Sequence, residues 1–277
     1  MSAGSPHLIG WSGGVVAESV LAVIDADTAV IELSVWGGWD RRLSAQARTV
    51  LDKCLAEHPT GVIVDLHHLR DPHAVSAPLW LTACSQGAAM EPPIAIAVCV
   101  PAATPLARRL RRLGARDWLV LYASVPQARA ALAGAHPLPD RMHLALPPDS
   151  AAAVQARSLV TEACAGWGLR HLCERARLVI SELVVNAAEH AGTDIEVIVS
   201  SRGAGAGAAL HLAVYDGDTV LPRVRDPVPG LLGPSLSDRG LGLRIVSAAA
   251  SSWGALPARG GKLVWAIVRS RPEEAPW

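Results

Sequence analysis

Phenylalanine is absent from this 277-residue chain, and tyrosine and lysine each occur only twice, the lysines as Lys53 and Lys262. With aromatic residues at 4% of the chain, the core has to be assembled from Ala, Leu, Val and Ile around a few of the nine Trp. Basic charge is carried almost wholly by Arg. Avoidance of the AT-rich Phe and Lys codons reads as the product of a GC-rich genome, a property of the source and not of the function. Net charge is missing too: 25 basic residues balance 25 acidic ones, and neither half of the chain has the basic excess of a general nucleic-acid binder. No run reaches the ~18 uninterrupted apolar residues of a membrane helix, and the N-terminus lacks the basic start of a secretory signal. There is no C-x-x-C pair. The five cysteines, Cys54, Cys84, Cys99, Cys164 and Cys173, are odd in number and fit reduced thiols in a cytoplasmic protein, not a disulfide or zinc framework.

What is present is a folded composition: 51% hydrophobic at zero net charge excludes disorder, and the length suits about two domains. The Pro-rich segment 137–149 reads as a linker because proline fixes φ and lacks a donor, although Met142 to Leu146 has room for a short strand. Residues 1–136 (core 28–132) then form one domain and 150–277 another. In the first, strands at Thr28–Val35, Val62–Leu66, Ile94–Val100 and Trp118–Leu121 alternate with helices at Arg41–His58, Pro105–Leu113 and Val125–Leu132, which predicts an α/β layer fold. On the first helix Leu43, Ala47, Val50, Leu51, Cys54 and Leu55 recur at helical spacing. Residues 1–26 contain Leu8–Trp11 and Val15–Ile24 as a further strand or helix. In the second domain, helices at Ser150–Trp167, Leu169–Ala191 and Leu243–Trp253 accompany strands at Ile195–Ser201, Leu210–Tyr215 and Lys262–Val268, which predicts a two-layer α/β sandwich.

Three segments carry possible chemistry. In Ser181-Glu182-Leu183-Val184-Val185-Asn186-Ala187-Ala188-Glu189-His190, the side chains of Glu182, Asn186 and His190 fall at i, i+4 and i+8 and line one helix stripe. The bland alternative is a solvated polar stripe. Val214-Tyr215-Asp216-Gly217-Asp218 ends a strand on an exposed carboxylate, which alone is an ordinary turn residue. Asp238-Arg239-Gly240-Leu241-Gly242-Leu243 sets a Gly-x-Gly at a helix start, where backbone amides and the helix dipole suit phosphate oxygens.

The order of these segments over about Leu144 to Val268, with the ending Trp253-Gly254 and Gly260-Gly261-Lys262-Leu263-Val264-Trp265-Ala266, resembles the ATP-binding domain shared by gyrase B, Hsp90, histidine kinases and MutL. It is most similar to the anti-sigma-factor serine kinases. The resemblance implies that Glu182 is the general base, Asn186 the Mg²⁺ ligand, Asp216 the adenine reader, and Gly240 and Gly242 the phosphate-side glycines. It also implies that Arg239 meets the γ-phosphate, that His190 joins the nucleotide-binding set, and that Val224–Asp238 forms a lid. The family's Asp-x-Gly-x-Gly pattern is departed from: Asp216-Gly217-Asp218-Thr219-Val220 lacks the later glycines. No helical hairpin with an acceptor histidine precedes the domain, so histidine kinase activity is not expected.

Residues from about Thr28 to Leu132 resemble a STAS domain, the fold of anti-sigma-factor antagonists. The likeness rests on Val62-Ile63-Val64-Asp65-Leu66, on Ile94–Val100, on Arg108-Arg109-Leu110-Arg111-Arg112-Leu113-Gly114-Ala115, and on the Tyr122–Leu132 ending. Where antagonists carry a phosphorylated serine, this chain has His73-Ala74-Val75-Ser76-Ala77, so either the acceptor is lost or the register shifts to Ser76. Arg108, Arg109, Arg112 and Arg116 read as a solvated helix face, and His67, His68 and His73 as loop histidines without a metal set. Trp36 and Trp39 read as a packed loop or a partner-facing spot.

The resemblance implies a cytoplasmic regulator that binds ATP and Mg²⁺. Its partners would be a STAS-type antagonist, a sigma factor or both, with no nucleic acid and no membrane, and with a homodimer left open. Two classes of function follow: a protein serine/threonine kinase acting on a partner, or a non-catalytic module that senses nucleotide or docks.

Overall fold

The computed structural model describes residues 7–8, 19–25, 28–114, 119–135, 140–202, 207–222, 241–258 and 260–270. The chain divides into two compact units, Ile9–Leu138 and Met1–Leu8 with Pro139–Trp277. The two-residue strand β1 (His7–Leu8) thus belongs with the C-terminal unit. Both units are α/β.

The first unit runs β2 (Val20–Asp25), β3 (Val30–Val35), β4 (Gly37–Gly38), α1 (Arg41–Ala56), β5 (Gly61–Asp65), β6 (Leu69–Arg70), α2 (Ala77–Ala88), β7 (Ala95–Cys99), α3 (Pro105–Leu113), β8 (Leu121–Tyr122) and α4 (Val125–Ala135). Its sheet has the order β8-β7-β5-β3-β2, parallel except for β2, which is antiparallel to β3. Parallel neighbours need crossover connections, and α1, α2 and α3 supply them. β5 reads as an unbroken apolar run because Val62, Ile63 and Val64 are all fully buried, as expected for a parallel strand covered on both faces. Val15–Ile24, expected to add a strand or a helix, supplies the strand β2 in its described part, and β4 pairs with β6 in a separate two-residue ladder.

Local chemistry sets the helix boundaries. Asp40 caps α1, its Oδ1 accepting from the Leu43 amide at 2.7 Å, and Leu43, Ala47, Leu51, Cys54 and Leu55 form the buried face. In α3, Thr104 caps the start, Pro105 occupies the first turn, and Gly114 follows the end, its amide donating to the Leu110 carbonyl at 2.7 Å. Arg108, Arg111 and Arg112 are exposed on α3 while Leu106, Ala107 and Leu110 are buried; Arg116 lies outside the described residues. α2 had no counterpart in the sequence expectations. Its apolar face of Ala77, Leu79, Trp80, Ala83 and Cys84 is built mostly from small residues, and only burial of Trp80, packed 5.8 Å from the Trp39 ring, makes it plain.

The start of α2 is held by a carboxylate. Asp71 accepts from the Val75 amide at 2.9 Å, the Ser76 amide at 2.8 Å and the Ser76 hydroxyl at 2.7 Å. Ser76 is 1% exposed, whereas Val75 beside it is 60% exposed. The hydroxyl that a shifted register would offer to a kinase is therefore enclosed and already spent on Asp71.

His67 joins two strand ends. Its Nδ1 lies 2.6 Å from Asp65 Oδ1 and its Nε2 lies 2.9 Å from the Ala123 carbonyl. Both partners are acceptors, so only the protonated ring satisfies both. The bond to Asp65 raises the His67 pKa above the ordinary 6.5, against some burial, with the Ala123 carbonyl helping. A group whose folded pKa is raised stabilises the fold below its unfolded pKa and loses that effect as pH rises through the folded value. Stability should thus decline above pH 6.5 through the raised value, and His67→Gln should flatten that dependence. Urea midpoints between pH 5.5 and 8.5 check this; an identical slope in both proteins would exclude it.

The second unit continues with β9 (Arg141–Leu146), α5 (Ala152–Gly166), a 3-10 turn (Arg170–Leu172), α6 (Cys173–His190), β10 (Ile195–Arg202), β11 (Ala209–Asp216), α7 (Leu241–Ala249), β12 (Ser252–Ala258) and β13 (Gly261–Arg269). The sheet order is β12-β13-β11-β10-β9, antiparallel throughout, with β1 parallel to β12. Side chains alternate as strands require. Val197, Val199, Leu210, Leu212, Val214, Val264, Ala266 and Val268 pack with Leu159 and Val160 of α5, Val179, Ile180, Leu183 and Val184 of α6, and Val246 of α7. This is the two-layer sandwich anticipated from the sequence. The opposite face carries His211 stacked on Trp265, ring centroids 6.1 Å apart.

One element differs. The helix expected to reach Trp253 ends at Ala249, and Ser252–Ala258 becomes β12 in a hairpin with β13. Trp253 is buried with its Nε1 donating to Ser247 Oγ at 2.8 Å, which ties the strand back to α7. Continuing the helix would have left the edge of β13 unpaired.

The described cysteines are all free. Burial pushes the Cys84 thiol up to about 11 and the Cys99 thiol to about 12, so neither is a reactive thiolate. Among the described residues no helix is long and apolar enough to cross a membrane, and no group of three or more His, Cys, Asp and Glu is arranged to hold a metal ion.

Candidate functional site

α6 presents the stripe read from the sequence. Its buried side, Ala176, Val179, Ile180, Leu183, Val184 and Ala187, faces the core. Glu182 and Asn186 are half-buried at the margin of that side, and His190 is exposed in the last turn. The helix is therefore amphipathic, and the stripe passes from half-buried at Glu182 and Asn186 to solvated at His190.

The start of α7 meets that stripe. A Cβ built on Gly242 would stand 2.7 Å from Glu182 Oε2 and 3.6 Å from both Asn186 Oδ1 and Nδ2. Two polar side chains from α6 thus converge on a backbone that carries no side chain of its own. Asn186 Nδ2 is buried and makes no hydrogen bond among the described residues. The two ends of an amide exchange by a half-turn, so Asn186 has one unused polar end beside Gly242, which suits a ligand oxygen or a hard cation. Burial raises the Glu182 pKa, and the Glu189 charge raises it further. A carboxylate that holds a proton more tightly is a better proton acceptor. Arg239, Gly240 and the Val224–Asp238 segment lie outside the described residues.

The third segment is built differently from its sequence reading as an exposed carboxylate. Asp216 ends β11 and is 1% exposed. Its Oδ1 receives Lys262 Nζ at 2.9 Å and the Asp218 amide at 2.9 Å. Lys262 also reaches Asp218 Oδ2 at 2.7 Å. The antiparallel register sets Asp216 directly opposite Lys262, on the sheet face that α6 covers. Burial raises the Asp216 pKa, opposed by the Lys262 and Asp218 hydrogen bonds. Asp218 is pushed up by its slight burial, but the Lys262 bond, the Val220 amide and the Lys262 and His190 charges outweigh this and lower its pKa.

The backbone around Asp216 has no slack. Gly217 donates its amide to Thr193 Oγ1 at 2.8 Å, just past the end of α6. A Cβ on Gly261 would lie 1.9 Å from the Asp216 carbonyl oxygen, so only glycine lets the two strands approach this closely. Thr193, Asp218, Gly261 and Lys262 were not among the site residues read from the sequence. Two faint signals existed: Asp218 stands where the resembled pattern has glycine, and Lys262 is one of only two lysines.

No protein-family model matches the chain, nor does any curated protein. Solved structures similar to it include an anti-sigma factor antagonist from Mycobacterium paratuberculosis: 18% identity, 43% of this chain and 97% of that one, TM-score 0.35. The RsbU and RsbW domains of a Mycobacterium tuberculosis protein align at 24% identity over 49% of this chain, TM-score 0.35; the match spans 34% of that longer chain. The phosphorylated form of the Bacillus cell fate determinant SpoIIAA aligns at 14% identity over 41% of this chain and 98% of its own, TM-score 0.30.

The structure therefore brings Glu182, Asn186 and Gly242 into one place and joins Asp216 to Lys262 and Asp218. His190 stands near Asp218 through its charge alone.

Proposed function

We propose that the C-terminal unit binds ATP with Mg²⁺ and that the chain is a regulator of the anti-sigma-factor, partner-switching type. The observation that carries this reading is the convergence of Glu182 and the unused Asn186 amide on Gly242 at the start of α7. Asn186 holds the cation through its amide oxygen, the α7 amides receive phosphate oxygens, and Asp216 accepts from an exocyclic amine. Mg²⁺, when bound, neutralises phosphate charge. Glu182 accepts the proton of a Ser or Thr hydroxyl supplied by a partner. The first unit, with one antiparallel and four parallel-sheet strands and alternating helices, acts as a STAS-like docking module whose own acceptor is lost or, as Ser76, enclosed by Asp71.

Titration calorimetry with Mg-ATP tests the first step. Saturable binding that Asn186→Ala weakens supports the reading, and no heat at millimolar nucleotide would sink it. A second reading, a non-catalytic sensor or docking module, is favoured by one observation: Asp216 is enclosed and already paired with Lys262. Binding without phosphoryl transfer to any STAS-domain partner would select it.

A further inference from the structure

We propose that Lys262 is a positioning residue for base recognition, holding Asp216 ionised so that its second carboxylate oxygen can accept from the exocyclic amine of a purine, with Asp218 fixing the lysine in place. The inference rests on the nucleotide reading above and adds to it two residues and a reason.

The reason is electrostatic. A carboxylate that is 1% exposed tends to take up a proton, because burial penalises the charged form. A protonated Asp216 would present a donor where an amine needs an acceptor. The groups acting on it are Lys262 from β13 and Asp218 in the turn; Tyr215, the preceding residue on β11, feels its charge, and the charge of His190 at the end of α6 bears on Asp218. Lys262 is the cation in contact with it, at 2.9 Å.

Geometry divides the work. The Lys262 contact at 2.9 Å and the Asp218 amide both fall on Oδ1, so the ligand's amine is assigned to Oδ2. The carboxylate cannot retreat, since Gly217 is tied to Thr193 and Gly261 lies against the Asp216 carbonyl. A four-carbon lysine stem is flexible on its own, and the 2.7 Å bond to Asp218 fixes its far end. The aspartate that interrupts the glycine pattern thus has a use: it anchors the counter-ion of its neighbour two residues earlier.

The test compares ATP with inosine triphosphate, which carries an oxygen in place of the amine, in calorimetry on the full chain from pH 6 to 9. Wild type should prefer ATP with little pH dependence. Lys262→Met should bind ATP about 10- to 100-fold more weakly at pH 7, the loss of one hydrogen bond to an ionised acceptor. It should lose the preference over inosine triphosphate and recover it as pH rises and Asp216 ionises. Lys262→Arg should retain the preference. Without nucleotide, the Asp216 side-chain carboxyl carbon resonance should titrate at higher pH in Lys262→Met than in wild type. If Lys262→Met does not fold, Asp218→Asn decides, with a reduced ATP preference expected. An unchanged preference in the variants, with wild type binding ATP, would overturn the role of Lys262 and leave the nucleotide reading standing. No binding of either nucleotide by wild type would overturn both.

Discussion

Glu182→Gln should lower phosphoryl transfer to a STAS-domain partner by about 10²- to 10⁴-fold, the range for loss of a positioned general base, while ATP binding stays within a few-fold of wild type. The substitution keeps the shape of the side chain and removes its ability to take a proton, so it separates binding from chemistry. Labelled ATP and a partner carrying an acceptor serine provide the measurement, and equal labelling by both proteins would remove Glu182 from the mechanism. The pH dependence adds a second check. Glu182 must be ionised to accept a proton, so the rate should rise with pH through its raised pKa. Burial is the larger cause of that rise and the Glu189 charge the smaller. Glu189→Gln should therefore move the acid limb toward lower pH without abolishing it.

Gly261→Ala should destabilise the C-terminal unit by about 3 kcal/mol or more, at or beyond the upper end of ordinary overpacking. The added methyl would meet the Asp216 carbonyl oxygen at 1.9 Å, the carbonyl carbon at 2.8 Å and the Gly217 Cα at 2.9 Å. All three are backbone atoms, and β11 and β13 are in register from Ala209 opposite Arg269 to Asp216 opposite Lys262. Relief requires moving a strand. Gly242→Ala offers the contrast, because its methyl would meet the end of the Glu182 side chain, which can rotate away. It should leave stability within about 1 kcal/mol of wild type and act on transfer instead. Urea midpoints distinguish the two, and a wild-type midpoint for Gly261→Ala would show that the strands can part at no cost.

Elements whose order is local were legible in the sequence. The α1 face from Leu43 to Leu55 follows from helical periodicity, and the ends of α3 follow from Pro105 and Gly114, with the Thr104 cap added by the structure. The stripe on α6 is set by the helical repeat, which is why Glu182 and Asn186 could be placed together in advance. β12 was not legible because Gly254, Ala255, Pro257 and Ala258 have low strand preference; pairing with β13 overrides it. The pairing of β1 was equally hidden: an element near Leu8 was expected, but nothing local tells that it joins a strand near the opposite end of the chain. The ion cluster failed for the same reason. Lys262 is 44 residues from Asp218, and only the strand register brings them together.

The carboxylate at the start of α2 has a consequence in time. A phosphate placed on a serine is written by one enzyme and erased by another, so a surface built around it carries a record of recent events. Asp71 is part of the chain and is neither added nor removed. With Ser76 enclosed against it, the negative charge at this helix start is fixed by the chain itself and not by a phosphate on that hydroxyl. Under the proposed function the start of α2 keeps no record of phosphorylation at Ser76, and a change in what that end of the helix contacts originates in the partner that meets it.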